Sequence, residues 1–364
     1  YTGEDTLSLH DALPICEKRL RSGYTTGVHA AAALYSAVSE YLNLSYNNQI
    51  SIPLPNGQKA AIEAFGGVSV KGDNDDIDAT KGCLIRVSVQ NSADMLCISK
   101  IPHSPYILRF GTFCCYLYAG EGVGVVTKKG LKPPIGYPAV NPVPLSMIQR
   151  VLDDFAAFAA SDLYVSVSVE NGEEIAKQTA NGKVGVIGGI SILGSTGIVK
   201  PISNEAMLSS IEAEISVISN TSREIVFTIG NTAYNLGVGQ YGEDICVEIG
   251  NFVYDTLQML SGKAFRRLTF ITGQGKCAKI AQGLKNTHNR YGDTDFAVVA
   301  EWLKEYGIDG DISDCGTIKG VVESLGKASA DRFFELLKQK AKDQIINFLP
   351  DDSKDIDVCV RLSE

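Results

Sequence analysis

The stretch 225-IVFTIGNTAYNLGVGQYGEDICVEI-249 decides the fold of the second half of this chain. Two short apolar runs, Ile225 to Ile229 and Ile245 to Ile249, flank a helical stretch, and the first run ends in Gly230-Asn231. Two further runs, Val184 to Ile187 and Leu268 to Ile271, continue the same rhythm on either side. Runs that are apolar at nearly every position belong to strands buried on both faces, the condition of a parallel sheet covered by helices. The second half is therefore expected to be an α/β, Rossmann-like parallel-sheet domain. A helix should begin near Ser203, with Ser203 as cap, Glu205 at the positive end of the dipole, and Met207, Ile211 and Ile215 facing inward. After the last run, Cys277, Ile280, Ala281 and Leu284 form another apolar helical face.

The first half reads differently, as α+β. A helix from Val28 to Leu42, capped by Thr25 or Thr26, carries four consecutive alanines and sets Leu34, Val38, Tyr41 and Leu42 on one face. Short strands follow over Ile50 to Leu54, Ala61 to Val70, Leu84 to Val89 and Tyr106 to Tyr118, separated by glycine-rich and acidic turns. Five prolines between Gly130 and Pro144 make that stretch an extended loop. A helix over Ser146 to Ala160 and a strand over Leu163 to Val169 come next. Residues 1–16 lack a clear period and are set aside as an artefact or a disordered lead. The expected domains are α+β over 17–180, Rossmann-like over 181–310, and a helical C-terminal extension over 311–364 that includes a helix from Asp331 to Leu349.

Composition narrows the function. The 364 residues are 45% hydrophobic and 21% charged, with a formal net charge of -9, which argues against a nucleic-acid partner because the basic face such binding needs is missing. The nine cysteines include no CxxC pair of the kind that marks a zinc or redox centre, so they are expected to be reduced and mostly buried. No run approaches the ~20 apolar residues of a membrane span, and no export signal is recognisable, so the expected compartment is the cytoplasm. Self-association is left open.

In an open α/β sheet, ligands bind beyond the carboxyl ends of the strands. Two loops placed there are glycine-rich: Gly188-Gly189-Ile190-Ser191-Ile192-Leu193-Gly194-Ser195-Thr196-Gly197 and Gly273-Gln274-Gly275-Lys276. Their glycines could admit a ligand, helped by the hydroxyls of Ser195 and Thr196, or could merely permit tight turns. Asn231 could offer its carboxamide to the same crevice, or be a turn residue. In the first half, Gly23-Tyr24-Thr25-Thr26-Gly27-Val28-His29 opens a helix and could receive a carboxylate, with simple capping as the alternative. The run Asp73-Asn74-Asp75-Asp76-Ile77-Asp78 could bind a metal or position a charged group, yet it lacks calcium-loop spacing, and such runs are more often solvated turns. Glu121, Lys128 and Lys129 could grip a polycarboxylate or be surface groups. His288, the one histidine of the second half, stands near Arg290 after a ligand-facing helix.

Taken together, these segments resemble the cobalt-precorrin-5B C1-methyltransferase family. The residues that carry the likeness are GYTTG (23–27), GEGVGVVTKKGL (120–131) running on to PAVNPVP (138–144), NGEEIAKQT (171–179) and VGVIGGISILGSTGIVKPIS (184–203). TIGN (228–231), GNFV (250–253), TGQGKCAKIAQG (272–283) and TH (287–288) extend it. The chain departs from the family pattern at His29, where a cysteine is usual, at Gly273-Gln274-Gly275-Lys276, where a fuller Gly-His-x-Gly-Lys is usual, and at Asn289, where a serine is usual.

The resemblance implies methyl transfer from S-adenosylmethionine to C1 of a cobalt-containing tetrapyrrole, with cobalt arriving inside the substrate and no metal site on the protein. On this reading Gly188, Gly189, Gly194, Ser195, Thr196, Gly197, Asn231, Gly273 and Gly275 hold the cofactor. Tyr24, Thr25, Thr26, His29, Glu121, Lys128 and Lys129 face the acidic corrinoid, and His288 or Asp76 could remove a proton after methyl capture. A nicotinamide-dependent oxidoreductase would instead carry G-x-G-x-x-G opening a helix, a spacing that Gly188-Gly189 does not provide. A non-catalytic corrinoid-binding protein is the other alternative, distinguished by binding without transfer.

Overall fold

The structure is a computed structural model that describes residues 21–72, 78–199 and 204–363. The Asp73–Ile77 part of the acidic run, residues 1–16 and Ser203 therefore lie outside the described residues.

Helix α1 (Thr26–Tyr41) is buried almost all round, because its alanines have no bulk to hold neighbours away. A hairpin of β1 (Gln49–Pro53) and β2 (Lys59–Glu63) packs beside it. Strands β3 (Val68–Val70), β4 (Leu84–Gln90), β5 (Tyr106–Phe110), β6 (Phe113–Ala119) and β7 (Leu163–Val169) form a sheet in the order β3-β4-β7-β6-β5. Only the β7 to β6 pairing in this sheet is parallel. Its inward residues, including Ile85, Val87, Leu117, Val165 and Val167, meet α1 and α2 (Pro142–Asp153) in one core.

Several expected boundaries move for identifiable reasons. The expected strand Ala61 to Val70 is two strands, interrupted by Gly66 and Gly67 with φ of 60° and 73°. Tyr106 to Tyr118 is a hairpin turning after Phe110. Helix α2 starts four residues before Ser146, because Pro142 and Pro144 occupy its first turn, where an N–H has no helical partner to lose.

Strands β8 (Glu224–Ile229), β9 (Cys246–Glu248), β10 (Arg267–Thr272) and β11 (Asp357–Leu362) form a wholly parallel sheet in the order β9-β8-β10-β11. Of the four runs expected in it, three are present. The fourth, Val184 to Ile187, is not: Val186–Ile187 pairs antiparallel with Val125–Val126 in the first half. Gly185 and Gly188, with φ of 81° and 86°, stop the strand on both sides. Its place is taken by β11, from the tail expected to be helical.

Helix α3 (Asn204–Ile218) buries Ile211 and Ile215, but Met207 is 37% exposed rather than inward. Helix α4 (Asn231–Tyr241) packs on one face of the sheet against Val226, Cys246 and Ile271. The other face, with Phe227 and Phe270, is covered by α3, α5 (Val253–Gln258), α6 (Gln274–Ala281), α7 (Phe296–Glu305), α8 (Ile318–Ser324) and α9 (Lys327–Phe348). Among the described residues, no helix is long and apolar enough to cross a membrane. Of the eight described cysteines, Cys83, Cys115, Cys246 and Cys277 are buried, whereas Cys97 and Cys359 are exposed.

The halves meet through a small apolar cluster of Val126, Ala139, Val184, Val186 and Val217. Beside it, Lys183 Nζ lies 2.5 Å from Glu214 Oε2 and donates to the backbone carbonyl of Cys246, on the outer edge of β9. The ammonium thereby caps an edge that would otherwise offer free carbonyls.

Candidate functional site

The glycine-rich elements expected to converge fall into two groups with opposite geometry. The first surrounds the start of α1. Gly189–Ile190 runs parallel to Gly122–Val123, and Gly23–Tyr24 pairs with Ile198–Val199. Between them, Thr25 N–H donates to the Gly197 carbonyl at 3.1 Å and Gly27 N–H to the Leu193 carbonyl at 2.9 Å. Thr26 Oγ1 accepts from Leu193 N–H at 2.9 Å, and Val28 N–H and His29 N–H donate to the Thr25 carbonyl. The N–H groups of Thr25, Gly27, Val28 and His29 at this helix start are thus engaged by the chain's own backbone. Thr25 Oγ1 is buried without a partner.

Glycine is required here by contact. A Cβ on Gly194 would sit 2.2 Å from Thr25 Oγ1, one on Gly189 2.1 Å from the Gly122 carbonyl oxygen, and one on Gly197 2.7 Å from Leu54. Ser195 and Thr196 lie on the outer bend of this seam, with Thr196 Oγ1 bonded to the Ile198 backbone.

His29 lies beneath the same helix start, 5% exposed, with Nδ1 2.9 Å from Ser69 Oγ. Ser69 gives its own proton to the Glu63 carbonyl, so His29 Nδ1 is the donor and Nε2 carries a bare lone pair that is buried without a partner. Burial, aided by the nearby Lys71 charge, lowers its pKa to about 4. Lys71 is itself buried and paired with Asp78. His29 is therefore an interior group whose neutral form is favoured by burial.

Of the remaining first-half candidates, Tyr24 is half-buried against the core, Glu121 is exposed, and Lys129 is exposed. Lys128 donates to the Lys183 carbonyl at 3.2 Å and lies 3.8 Å from Asp244, at the junction of the halves.

The second group surrounds the carboxyl ends of β8, β9 and β10. Helix α4 leaves β8 towards one face of the sheet and α6 leaves the adjacent β10 towards the other. The crevice opened by this divergence is where doubly wound sheets take ligands. Gly230, with φ of 91°, Gly273 and Gly275 line it, and a Cβ on any of them would meet no atom within 4 Å. Asn231 is exposed at the start of α4.

Glu248 ends β9 and accepts from Gly230 N–H at 3.0 Å and Gly250 N–H at 3.3 Å, tying two loops together. Gln274 Oε1 is buried without a partner. Burial pushes the Lys276 ammonium below the usual lysine range, against the opposing attraction of Glu248.

Next to this crevice, Thr287 binds Asn251 through both its N–H, at 3.1 Å, and its hydroxyl, at 2.8 Å. This fixes exposed His288, whose Nδ1 accepts from Arg290 N–H at 3.2 Å. With Nδ1 accepting, the proton of the neutral ring sits on Nε2, and the ring's lone pair is already engaged. Buried Lys279 pins the following loop through Asn289, the Gly292 carbonyl and Asp293.

Asn231, Gly273, Gly275 and His288 are thus brought to one end of the sheet, whereas Gly188 to Gly197 join Thr25 and Thr26 elsewhere. Asp76 lies outside the described residues. Glu248 was not among the expected site residues; its signal is an acidic residue inside the apolar run Ile245 to Ile249 that follows Gly230-Asn231. Among the described residues, no group of three or more His, Cys, Asp or Glu side chains is placed to hold a metal ion.

The family described as CbiD matches residues 15–201. The cobalt-precorrin-5B C(1)-methyltransferase of Geobacter metallireducens is 33% identical over 361 residues, covering 92% of this chain and 94% of its own length. That of Agrobacterium fabrum is 35% identical over 309 residues, covering 81% and 77%. A crystal structure of the cobalamin biosynthesis protein cbiD from Archaeoglobus fulgidus overlaps with a TM-score of 0.38 and 24% identity, over 79% of this chain and 85% of that one.

Proposed function

We propose that this chain, which belongs to the CbiD family, is a C-methyltransferase of cobalamin biosynthesis that methylates C1 of cobalt-precorrin-5B. The methyl donor is S-adenosylmethionine, the reaction takes place in the cytoplasm, and cobalt enters within the tetrapyrrole substrate. The strongest support is family membership over nearly the whole chain, joined to a crevice whose glycines face open space.

The residues present fit the donor. Buried Gln274 Oε1 is an acceptor awaiting an N–H, and Gly230, Gly273 and Gly275 leave room for close backbone approach. We place the cofactor in this crevice with Asn231, in a second domain of Rossmann-like type. The seam formed by Gly188, Gly189, Gly194, Ser195, Thr196 and Gly197 with Thr25 and Thr26 is assigned a supporting role.

When bound, the cofactor supplies an electrophilic methyl group that already carries its leaving group. The protein's contribution is then orientation: holding C1 in line with that methyl converts an encounter between two molecules into a positioned displacement. Lys129 and His288 Nε2–H, both exposed, meet peripheral carboxylates of the corrinoid. His288 acts as a donor rather than a base, because its lone pair is engaged by Arg290 N–H.

The test is incubation of the purified protein with cobalt-precorrin-5B and isotopically labelled S-adenosylmethionine. Label recovered at C1 of the macrocycle is the expected outcome. Tight corrinoid binding with no label transferred would instead identify a non-catalytic corrinoid-binding protein.

A further inference from the structure

We propose that Glu248 and Lys276 divide recognition of the cofactor, Glu248 binding the two ribose hydroxyls and Lys276 the carboxylate of the amino-acid portion. This rests on the cofactor placement above and assigns roles within it.

Position comes first. Gly230 opens the loop after β8, and Glu248 closes the neighbouring strand 18 residues later (248 − 230). In nucleotide-binding sheets of this winding, an acidic side chain about 20 residues beyond the glycine turn stands where a ribose diol lies. The Glu248 carboxylate cannot drift from that place, since Gly230 N–H and Gly250 N–H each donate to one of its oxygens. A carboxylate has about four acceptor sites, so two are left for a pair of hydroxyls.

Lys276 stands across β8 from Glu248, in the first turn of α6 after β10, and the Glu248 charge favours its ammonium form. Partial burial has taken water from its ammonium group, so an incoming carboxylate would replace solvation already lost. The distribution of charge therefore has a polarity: the acidic wall suits hydroxyls and repels a carboxylate, and the basic wall does the reverse. A ligand carrying a diol and a carboxylate on separate portions has one favourable orientation.

Two ligands separate the roles. S-adenosylhomocysteine carries both the ribose and the amino-acid carboxylate, and 5′-methylthioadenosine keeps the adenosine and its ribose diol but lacks the amino-acid portion. In calorimetric titrations, Glu248→Ala should weaken both ligands by about tenfold or more, the scale of a lost charged hydrogen bond. Lys276→Met should weaken S-adenosylhomocysteine by about tenfold and change 5′-methylthioadenosine by no more than about twofold. Glu248→Gln, which keeps an oxygen for the loop N–H groups, supplies the measurement if the alanine variant does not fold, as judged by thermal unfolding.

Wild-type binding with unchanged affinities in the Glu248 variants would overturn the assignment while leaving the methyltransferase reading intact. So would equal loss of both ligands in Lys276→Met. Failure of the wild type to bind either ligand, despite methyl transfer, would overturn the crevice placement and the assignment with it.

Discussion

Two glycine-rich regions of one molecule use glycine for opposite purposes. Around Gly189, Gly194 and Gly197 the missing side chain is replaced by the protein itself, with neighbouring atoms 2.1–2.7 Å from where a Cβ would stand. Around Gly230, Gly273 and Gly275 nothing lies within 4 Å. The first group lets chain pack on chain; the second leaves a space for something else. A sequence shows the same residue in both, so the distinction belongs to packing.

That contrast can be broken by adding one methyl group. Gly194→Ala combines a backbone at φ of 145°, unfavourable for alanine, with a collision against Thr25. The expected loss is about 4 kcal/mol of stability, read by chemical denaturation. A loss below about 1 kcal/mol would mean that the seam yields easily and is not tightly packed.

The junction between the regions gives the next effect. Lys183→Ala strands Glu214, whose carboxyl burial already pushes above its ordinary range despite the Lys183 charge. Stability should fall by about 3 kcal/mol, and Glu214→Leu added to Lys183→Met should recover much of it.

Beneath the seam, His29 makes the first region sensitive to acid. Its folded pKa of about 4 lies below the ordinary 6.5, so the unfolded chain takes up its proton first as pH falls. The contribution is complete above pH 6.5 and is lost as pH drops towards about 4, amounting to about 3 kcal/mol. The His29→Cys variant should lack this component of the acid transition, as measured by denaturation at a series of pH values.

The smallest stability effect is expected in the open group. Gly275→Ala places a better helix former in the first turn of α6 and should change stability by no more than about 1 kcal/mol, in either direction. Its effect should appear in cofactor affinity instead.

Much of the architecture was legible because hydrophobic period maps directly onto burial. Leu163–Val169 is a strand over the expected residues, and three of the parallel strands fall within or beside their apolar runs. Val184 to Ile187 misled because a two-residue strand in a small cluster has the same apolar composition as a central one. Strand β11 escaped because it is an edge strand, alternating exposed Asp357, Cys359 and Arg361 with buried Val358 and Val360. The closure of the α1 start could not be read locally, since Leu193 is 167 residues from Thr26 and contributes backbone atoms that carry no sequence signal. The position of the candidate site was legible in part: Asn231, Gly273 and Gly275 follow strand ends as expected, whereas Glu248 gains meaning once β8 and β9 are neighbours.

The central claim is that the open glycines, not the packed ones, mark the cofactor site. It is tested most directly by titrating S-adenosylhomocysteine into the wild type and Gly275→Asp, with thermal unfolding of both. The account predicts that the wild type binds and that Gly275→Asp, folded and unfolding at nearly the same temperature, does not. Undiminished binding by Gly275→Asp would contradict it.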